Sequence, residues 1–405
     1  MLVRLGPFLL SCLLALTAGH MFNYTVILYL QEAVGSDLLS GLGFGLAFGS
    51  AIVFGWFAGV LCDRIPPHRV IHGAQAVFLA GLACLWWAQG GAAPETRVAW
   101  VLGGAFLGGL GWSFVGPARL TVLAQLARPE ELRPATIIYN LQVLVGFGLA
   151  PLLIGLIRSH SGWGTVIAVA ASGFVLSSLL MINTRTHASA MVNGNSVLAD
   201  IREGFRAVGA DPLLTQLMWV AVLGYAMTGP LQILLPKLAR EVLHLSELQR
   251  GAYLGLLALS LIVGGISALA LSRRVHHGAV MLGGIFLGSL VFASLSLTAP
   301  LAWSVAGLAC VGVVGGMVIS LVVAGIQAQA PMATRGRVMG MYSITSQVLP
   351  ALSGLAAGAL VNVVGVVNAV HVAGLTLASI LVLAAWRMAA LRRYVGQVKS
   401  RLDRN

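Results

Sequence analysis

The stretch Gly59-Val60-Leu61-Cys62-Asp63-Arg64-Ile65-Pro66-Pro67-His68-Arg69 is a short polar joint between two long apolar runs. The run before it covers residues 37–61 and the run after it 69–90. Each is long enough to cross a bilayer, which takes ~20 apolar residues. The same alternation continues in both directions from this joint. Apolar runs broken by Pro, Gly and charge predict spans at 5–31, 37–61, 69–90, 97–124, 134–157 and 164–183. A second six follow at 213–238, 249–272, 279–298, 301–328, 337–361 and 366–388. The expected fold is all-α and integral to a membrane, with twelve transmembrane helices.

Composition agrees with that reading. Of the 405 residues, 58% are hydrophobic and 9% are charged, against about 25% charged in soluble domains. Such a chain cannot wet a globular surface, which excludes a cytosolic enzyme, a disordered regulator and a secreted disulfide scaffold. Cys12, Cys62, Cys84 and Cys310 lie in or at the ends of apolar runs without ligand spacing, and read as small hydrophobes. Arg4 followed by Leu5 to Leu16 imitates a signal peptide. The apolar stretch runs on to Leu30, however, and is expected to be an uncleaved first span.

Net charge is +12, from 24 Lys plus Arg against 12 Asp plus Glu. If the N-terminus is cytoplasmic, eighteen of the 24 basic residues fall in cytoplasmic segments, five outside, and Arg119 lies within a span. The positive-inside rule then expects both termini in the cytoplasm of a bacterial-type inner membrane. The +12 therefore reads as topology, and no nucleic-acid partner is expected. The longest polar stretch, Asn183 to Pro212, divides the chain nearly in half. Within it Leu198, Ile201, Phe205 and Val208 recur at helical spacing opposite Asp200, Arg202, Glu203 and Arg206, an amphipathic surface helix.

The opening joint resembles the G-x-x-x-D-R-x-x-x-R signature of the major facilitator superfamily, with Pro67 near the turn where the family usually has Gly. The corresponding loop Ala268–Gly278 has Ser272, Arg273 and Arg274, and looks like a decayed second copy from a duplicated six-helix unit. Further stretches resemble the branch of enterobactin exporters and macrolide efflux pumps. They are Gly116-Pro-Ala-Arg119 with Pro129-Glu-Glu-Leu132, Ile201-Arg-Glu-Gly-Phe205 and Leu235-Pro-Lys through Leu243. Gln327 to Pro331, with Arg335-Gly-Arg-Val-Met339 running into Tyr342, completes the set. The resemblance implies two pseudo-symmetric six-helix bundles. The expected boundaries are 1–184 and 213–388, with a cytoplasmic linker at 185–212 and a basic tail at 389–405.

It also implies roles. Gly59, Asp63, Arg64 and Arg69 would form a cytoplasmic gate, with Asp63 docking on the start of span 11 near Gly336 and Arg337. A carboxylate suits the positive end of a helix. The alternative is that Asp63 and Arg64 only anchor a loop at the headgroups. Arg119 precedes Arg128 by nine residues, about 13 Å at the helical rise, so it needs a partner or water. Three are open: Asp63, by the family's arrangement, a lipid phosphate or an anionic substrate. In span 5, Gly146, Ala150, Pro151 and Gly155 resemble an element of proton-driven exporters, although Ala150 and Ile154 replace two of its glycines. Generic close packing of small residues explains them equally well.

Polar residues on single faces of apolar spans suggest a cavity. Span 1 offers Thr17, His20, Asn23 and Tyr24, span 7 offers Tyr225, Thr228 and Gln232, and span 11 offers Tyr342, Thr345, Ser346 and Gln347. Each is also a candidate for a plain interhelical hydrogen bond. Trp112, Trp219 and Tyr253 are candidates to stack on a ligand. No Asp or Glu lies deep in any span, so a proton-coupling group would be His20, or Glu32 at the outer mouth. The expected function is proton-coupled export of a small organic molecule, such as a siderophore, an antibiotic or a related amphiphile, by a monomer using rocker-switch alternating access. The alternative is import or facilitated diffusion of a metabolite or lysolipid. No HExxH, GxSxG or P-loop pattern supports an enzyme, and no cofactor or metal is expected.

Overall fold

The computed structural model describes residues 2–188, 197–270, 275–297, 300–331 and 334–395. Asn193 to Asn195, Arg273, Arg274 and the tail beyond 395 lie outside the described residues. So do the surroundings of Arg4, Gly59, Cys62, Asp63, Arg133, Leu198 and Ile201. The helices are α1 (Leu2–Glu32), α2 (Asp37–Gly49), α3 (Ala51–Arg64), α4 (Pro67–Gly90), α5 (Pro94–Leu126), α6 (Pro129–Arg158) and α7 (Trp163–Leu180). After the linker helix α8 (Val197–Gly209) come α9 (Pro212–Ala226), α10 (Thr228–Glu241), α11 (Glu247–Ala270), α12 (His277–Ser294) and α13 (Leu301–Gln329). The chain ends in α14 (Arg335–Arg387) and α15 (Ala389–Arg392).

At 53 residues, α14 would be about 80 Å long if straight, far more than a ~30 Å hydrocarbon core. It is two crossings folded at Gly365, whose φ of 77° is open to glycine and strained for other residues. With it, the eleven long apolar helical stretches make twelve crossings among the described residues. Large apolar side chains face outward, with Trp386 83% and Leu383 74% exposed. Lipid is their solvent, as in any multi-pass membrane protein.

The helix starts differ from the expected ones in a consistent way. Helices α4, α5, α6 and α9 begin at Pro67, Pro94, Pro129 and Pro212, one to five residues earlier than the apolar runs suggest. Proline breaks the apolar pattern, but at the first helical position its missing N–H removes a donor that would have no partner anyway. Two expected spans are broken. Span 2 divides at Ser50, whose hydroxyl donates back to the Leu46 carbonyl at 2.8 Å and competes with the helix ladder. Span 7 divides at Met227, because Pro230 gives the Ala226 carbonyl no N–H and crowds it.

Helices α1–α7 pack chiefly among themselves, as do α9–α14, and the two sets meet along α6 with α11 and α2 with α14. Without a hydrophobic force between helices in lipid, such seams rely on close packing. The linker helix α8 rests on the start of α14, where Arg337 pairs with Glu203 at 2.7 Å.

Candidate functional site

Two ends of the molecule must be distinguished. The Asp63 end carries the α3–α4 turn, α8 and the start of α14, and the Glu32 end carries the α1–α2 turn. The two sets meet closely near the Glu32 end. On one seam Gly155 of α6 faces Gly251 of α11, and a Cβ on Gly155 would stand 2.5 Å from the Glu247 carbonyl oxygen. On the other, Gly41 of α2 faces Gly354 and Gly358 of α14, and a Cβ on Gly41 would stand 2.8 Å from the Gly354 oxygen. Backbone touches backbone at both places, and only glycine permits it. Between these seams, Gln31 of α1 donates to the Ile233 carbonyl of α10 at 2.9 Å.

Charge reinforces the closure. Glu32 accepts from Arg250 of the other set at 2.6 Å and from Arg158 of its own set at 3.2 Å. Arg158 reaches across to Glu247 at 3.5 Å, and Lys237 pairs with Asp37. Among the described residues, three ion pairs thus cross between the sets. Glu32 and Arg250 are each only 13% exposed, so neither can easily exchange its partner for water. The sequence marks Glu32 at the outer mouth, but no local pattern pairs it with Arg158 or Arg250, or Asp37 with Lys237. The available signal is the coincidence of isolated opposite charges at the same end of five spans.

A cavity of about 290 Å³ lies immediately on the Asp63 side of these contacts. On every helix shared by cavity and seal, the lining residues precede the sealing ones in that direction. Phe48 lines and Gly41 seals in α2, Phe147 lines and Gly155 seals in α6, Leu257 lines and Gly251 seals in α11, and Pro350 lines and Gly358 seals in α14. At the Asp63 end α5 and α13 make no substantial contact among the described residues.

Of the span 1 stripe, His20 lines the cavity and Asn23 and Tyr24 do not. Its ring stands 5.2 Å from Trp112 and 5.4 Å from Phe147, with Nε2 buried and without a partner among the described residues. Asn23 accepts from the Trp112 indole at 3.3 Å, and Tyr24 is buried beside Phe147. Gly19 lies under the Trp112 ring, where any side chain would collide with it.

All of Tyr225, Thr228 and Gln232 line the cavity, around the Met227 break. Discontinuous helices recur at the substrate sites of transporters. Tyr225 shares a 2.6 Å hydrogen bond with Tyr342, which stands just behind the lining. Ser346 lines it too, while Gln347 is half-buried and outside. Trp219 is 56% exposed on the outer surface, and Tyr253 bonds Ser304 at 2.8 Å, so neither faces the cavity.

Arg119 is fully buried in the Asp63 half of α5. Its Nη2 donates to Ser177 at 3.3 Å, and the Cys12 thiol is within hydrogen-bonding reach. Nε and Nη1 have no partner among the described residues. The Asp63 side chain proposed as its partner lies outside those residues, while Arg64 and Arg69 are exposed. Gly146 packs on the backbone of α1, with a Cβ 3.0 Å from Thr17 N, and Ala150 and Pro151 are buried beside the α6–α11 seam.

Sequence and fold comparisons bear on this geometry. The profile described as Major Facilitator Superfamily matches residues 8–354. The multidrug efflux pump Tap of Mycolicibacterium fortuitum is 26% identical over 379 residues, covering 89% of this chain and 90% of that protein. The enterobactin exporter EntS of Escherichia coli O1:K1 is 25% identical over 392 residues, covering 95% and 92%. Among solved structures, a POT family transporter in complex with a thioalcohol-conjugated peptide superposes with a TM-score of 0.76 at 11% identity, covering 96% of both chains. A bacterial homologue of the human lysosomal transporter Spinster, inward-facing and unoccupied, superposes at 0.70 with 16% identity, covering 95% and 96%. At those identities the structures speak for the fold.

Proposed function

We propose, from the premise that this chain belongs to the Major Facilitator Superfamily, that it is a proton-coupled exporter of a small organic molecule. Residues 1–184 and 213–388 act as two bundles that rock about the cavity, joined by the 185–212 linker. The Asp63 end, with both termini, faces the cytoplasm, as the distribution of Lys and Arg requires. One observation carries the reading: the Glu32 end is sealed by two glycine seams and three cross-set ion pairs, while the cavity lies on the cytoplasmic side of that seal. This conformation loads substrate from the cytoplasm. Export is supported by the distant relatives, one named as a siderophore exporter and one as a drug efflux pump.

In this reading His20 is the coupling group. It is an imidazole on the cavity wall, and among the described residues its Nε2 has no hydrogen-bond partner and no Asp or Glu lines the cavity. A proton taken up there when the Glu32 end is open, and lost when the Asp63 end is open, would be exchanged for substrate. Glu32, held by two arginines, serves the seal. Asp63, Arg64, Arg69, Arg337 and Arg119 form the opposing gate, which closes when the Glu32 end opens.

The test uses energised inverted vesicles carrying a fluorescent reporter of the proton gradient, given enterobactin, erythromycin or an uncharged single-chain amphiphile such as 1-O-octylglycerol in turn. The expected result is a proton release with at least one compound that depends on this protein. Transport that persists after an uncoupler collapses the gradient contradicts proton coupling. The variant H20Q is expected to abolish the proton release at unchanged expression. An unchanged release with unchanged pH dependence removes His20 from the role.

A further inference from the structure

The cavity has two chemically different ends. One lies between the helix sets, where His20, Phe48 and Phe147 face Tyr225, Thr228 and Gln232. The other reaches Gly284, Ile285 and Gly288 of α12 and Leu377 of α14, with Val311 and Val314 of α13. Helix α12 packs on α13 and α14 and makes no substantial contact with α1–α7. A cavity with His20 at one end and Gly288 at the other therefore penetrates the interior of the second set.

That inner pouch is aliphatic. Its one polar side chain, Ser289, spends its hydroxyl on the Ile285 carbonyl at 2.7 Å. The first end, by contrast, holds His20 Nε2, which has no hydrogen-bond partner among the described residues, and the Gln232 amide on the cavity wall. Among the described residues, no Asp, Glu, Lys or Arg lines either end. A charged group moved from water into such a place has nothing to compensate it. The volume, about 290 Å³, equals roughly ten water molecules of liquid.

We propose that this site takes a one-tailed amphiphile, with an uncharged hydrogen-bonding head at His20 and Gln232 and an aliphatic tail in the α12–α13 pouch. The inference names the substrate class for the exporter reading and rests on it. Gly288 sets the depth of the pouch. A Cβ there would meet only Val314 Cγ1, at an ordinary 3.9 Å, so the first side-chain carbon is accommodated without forcing the helices apart.

The experiment titrates 1-O-alkylglycerols with chains of four to twelve carbons against the full-length protein in nanodiscs, following tryptophan fluorescence. Wild-type affinity is expected to rise about fourfold per methylene until the pouch is full, and then to level off. In G288L the plateau should come about three carbons earlier, and in G288A about one. Melting temperatures without probe show that the variants fold. Alkyltrimethylammonium and alkyl sulfate probes of the same length should bind at least tenfold more weakly. An unbroken rise to twelve carbons in all three proteins, or no dependence on length, overturns the pouch. Equal or tighter binding of the charged probes overturns the uncharged head. These are binding measurements, so their failure leaves export standing, and a failure of export appears only in the transport assays.

Discussion

Replacing Gly251 with valine is expected to open the Glu32 end and stop transport while leaving both helix sets folded. A Cβ at Gly251 would stand 3.2 Å from the Cα atoms of Gly155 and Leu152 and closer still to the Pro151 carbonyl oxygen. All three are backbone, so no rotamer change relieves the contact. Overpacking of this kind costs about 1–3 kcal/mol. In the proposed rocking motion α6 and α11 separate at this point when the Glu32 end opens, so the whole cost is expected to fall on the sealed state. About 1.4 kcal/mol shifts a two-state population tenfold, so the sealed state should lose about tenfold or more. The readout is labelling of T228C, in a background lacking the other cysteines, by a membrane-impermeant maleimide. Thr228 lies just inside the seal and should react slowly from the Glu32 side in the parent. G251V should raise that rate at least tenfold, and G251A should raise it less. An unchanged rate means that α6 and α11 do not form a moving seal.

The second large effect is expected at Glu32. The variant E32Q removes the negative charge that Arg250 and Arg158 share and turns one of its two acceptor oxygens into a donor. Fully exposed pairs contribute up to about 1 kcal/mol, and removing one partner of a fully buried pair costs about 3–5 kcal/mol. At 13% exposure the Glu32–Arg250 pair lies between these limits, nearer the buried one. The same labelling rate should rise at least fivefold in E32Q. Most of the cost comes from the guanidinium left facing Arg158, with Glu247 the one carboxylate still beside both arginines among the described residues. Removing that guanidinium as well, in E32Q/R250Q, should return part of the seal. The two substitutions would then be non-additive, as expected for groups in direct contact. Additive effects would mean that the two charges act separately.

Most of the fold is legible in the sequence because lipid imposes a length on every crossing. Even the break in span 7 has a visible cause, since Pro230 must disturb the helix at Ala226. The Ser50 break has none, because a serine back-bond is one of several options open to that side chain. The site is less legible. Helical spacing puts His20, Asn23 and Tyr24 on neighbouring positions, yet Trp112 of α5 claims Asn23 and leaves His20 at the cavity. The seal joins residues as far apart in sequence as Glu32 and Arg250, which no local pattern can pair. The pouch arises from glycines in α12 and α13 that in the sequence look like any other small residues in a membrane helix.

The most direct test of export is to delete the gene in its native host and compare small organic molecules in the cells and in the spent medium. At least one amphiphile should accumulate in the cells and fall in the medium, with the parent gene restoring both and G251V restoring neither. Depletion of that molecule from the cells, or no change in either compartment, would contradict an exporter.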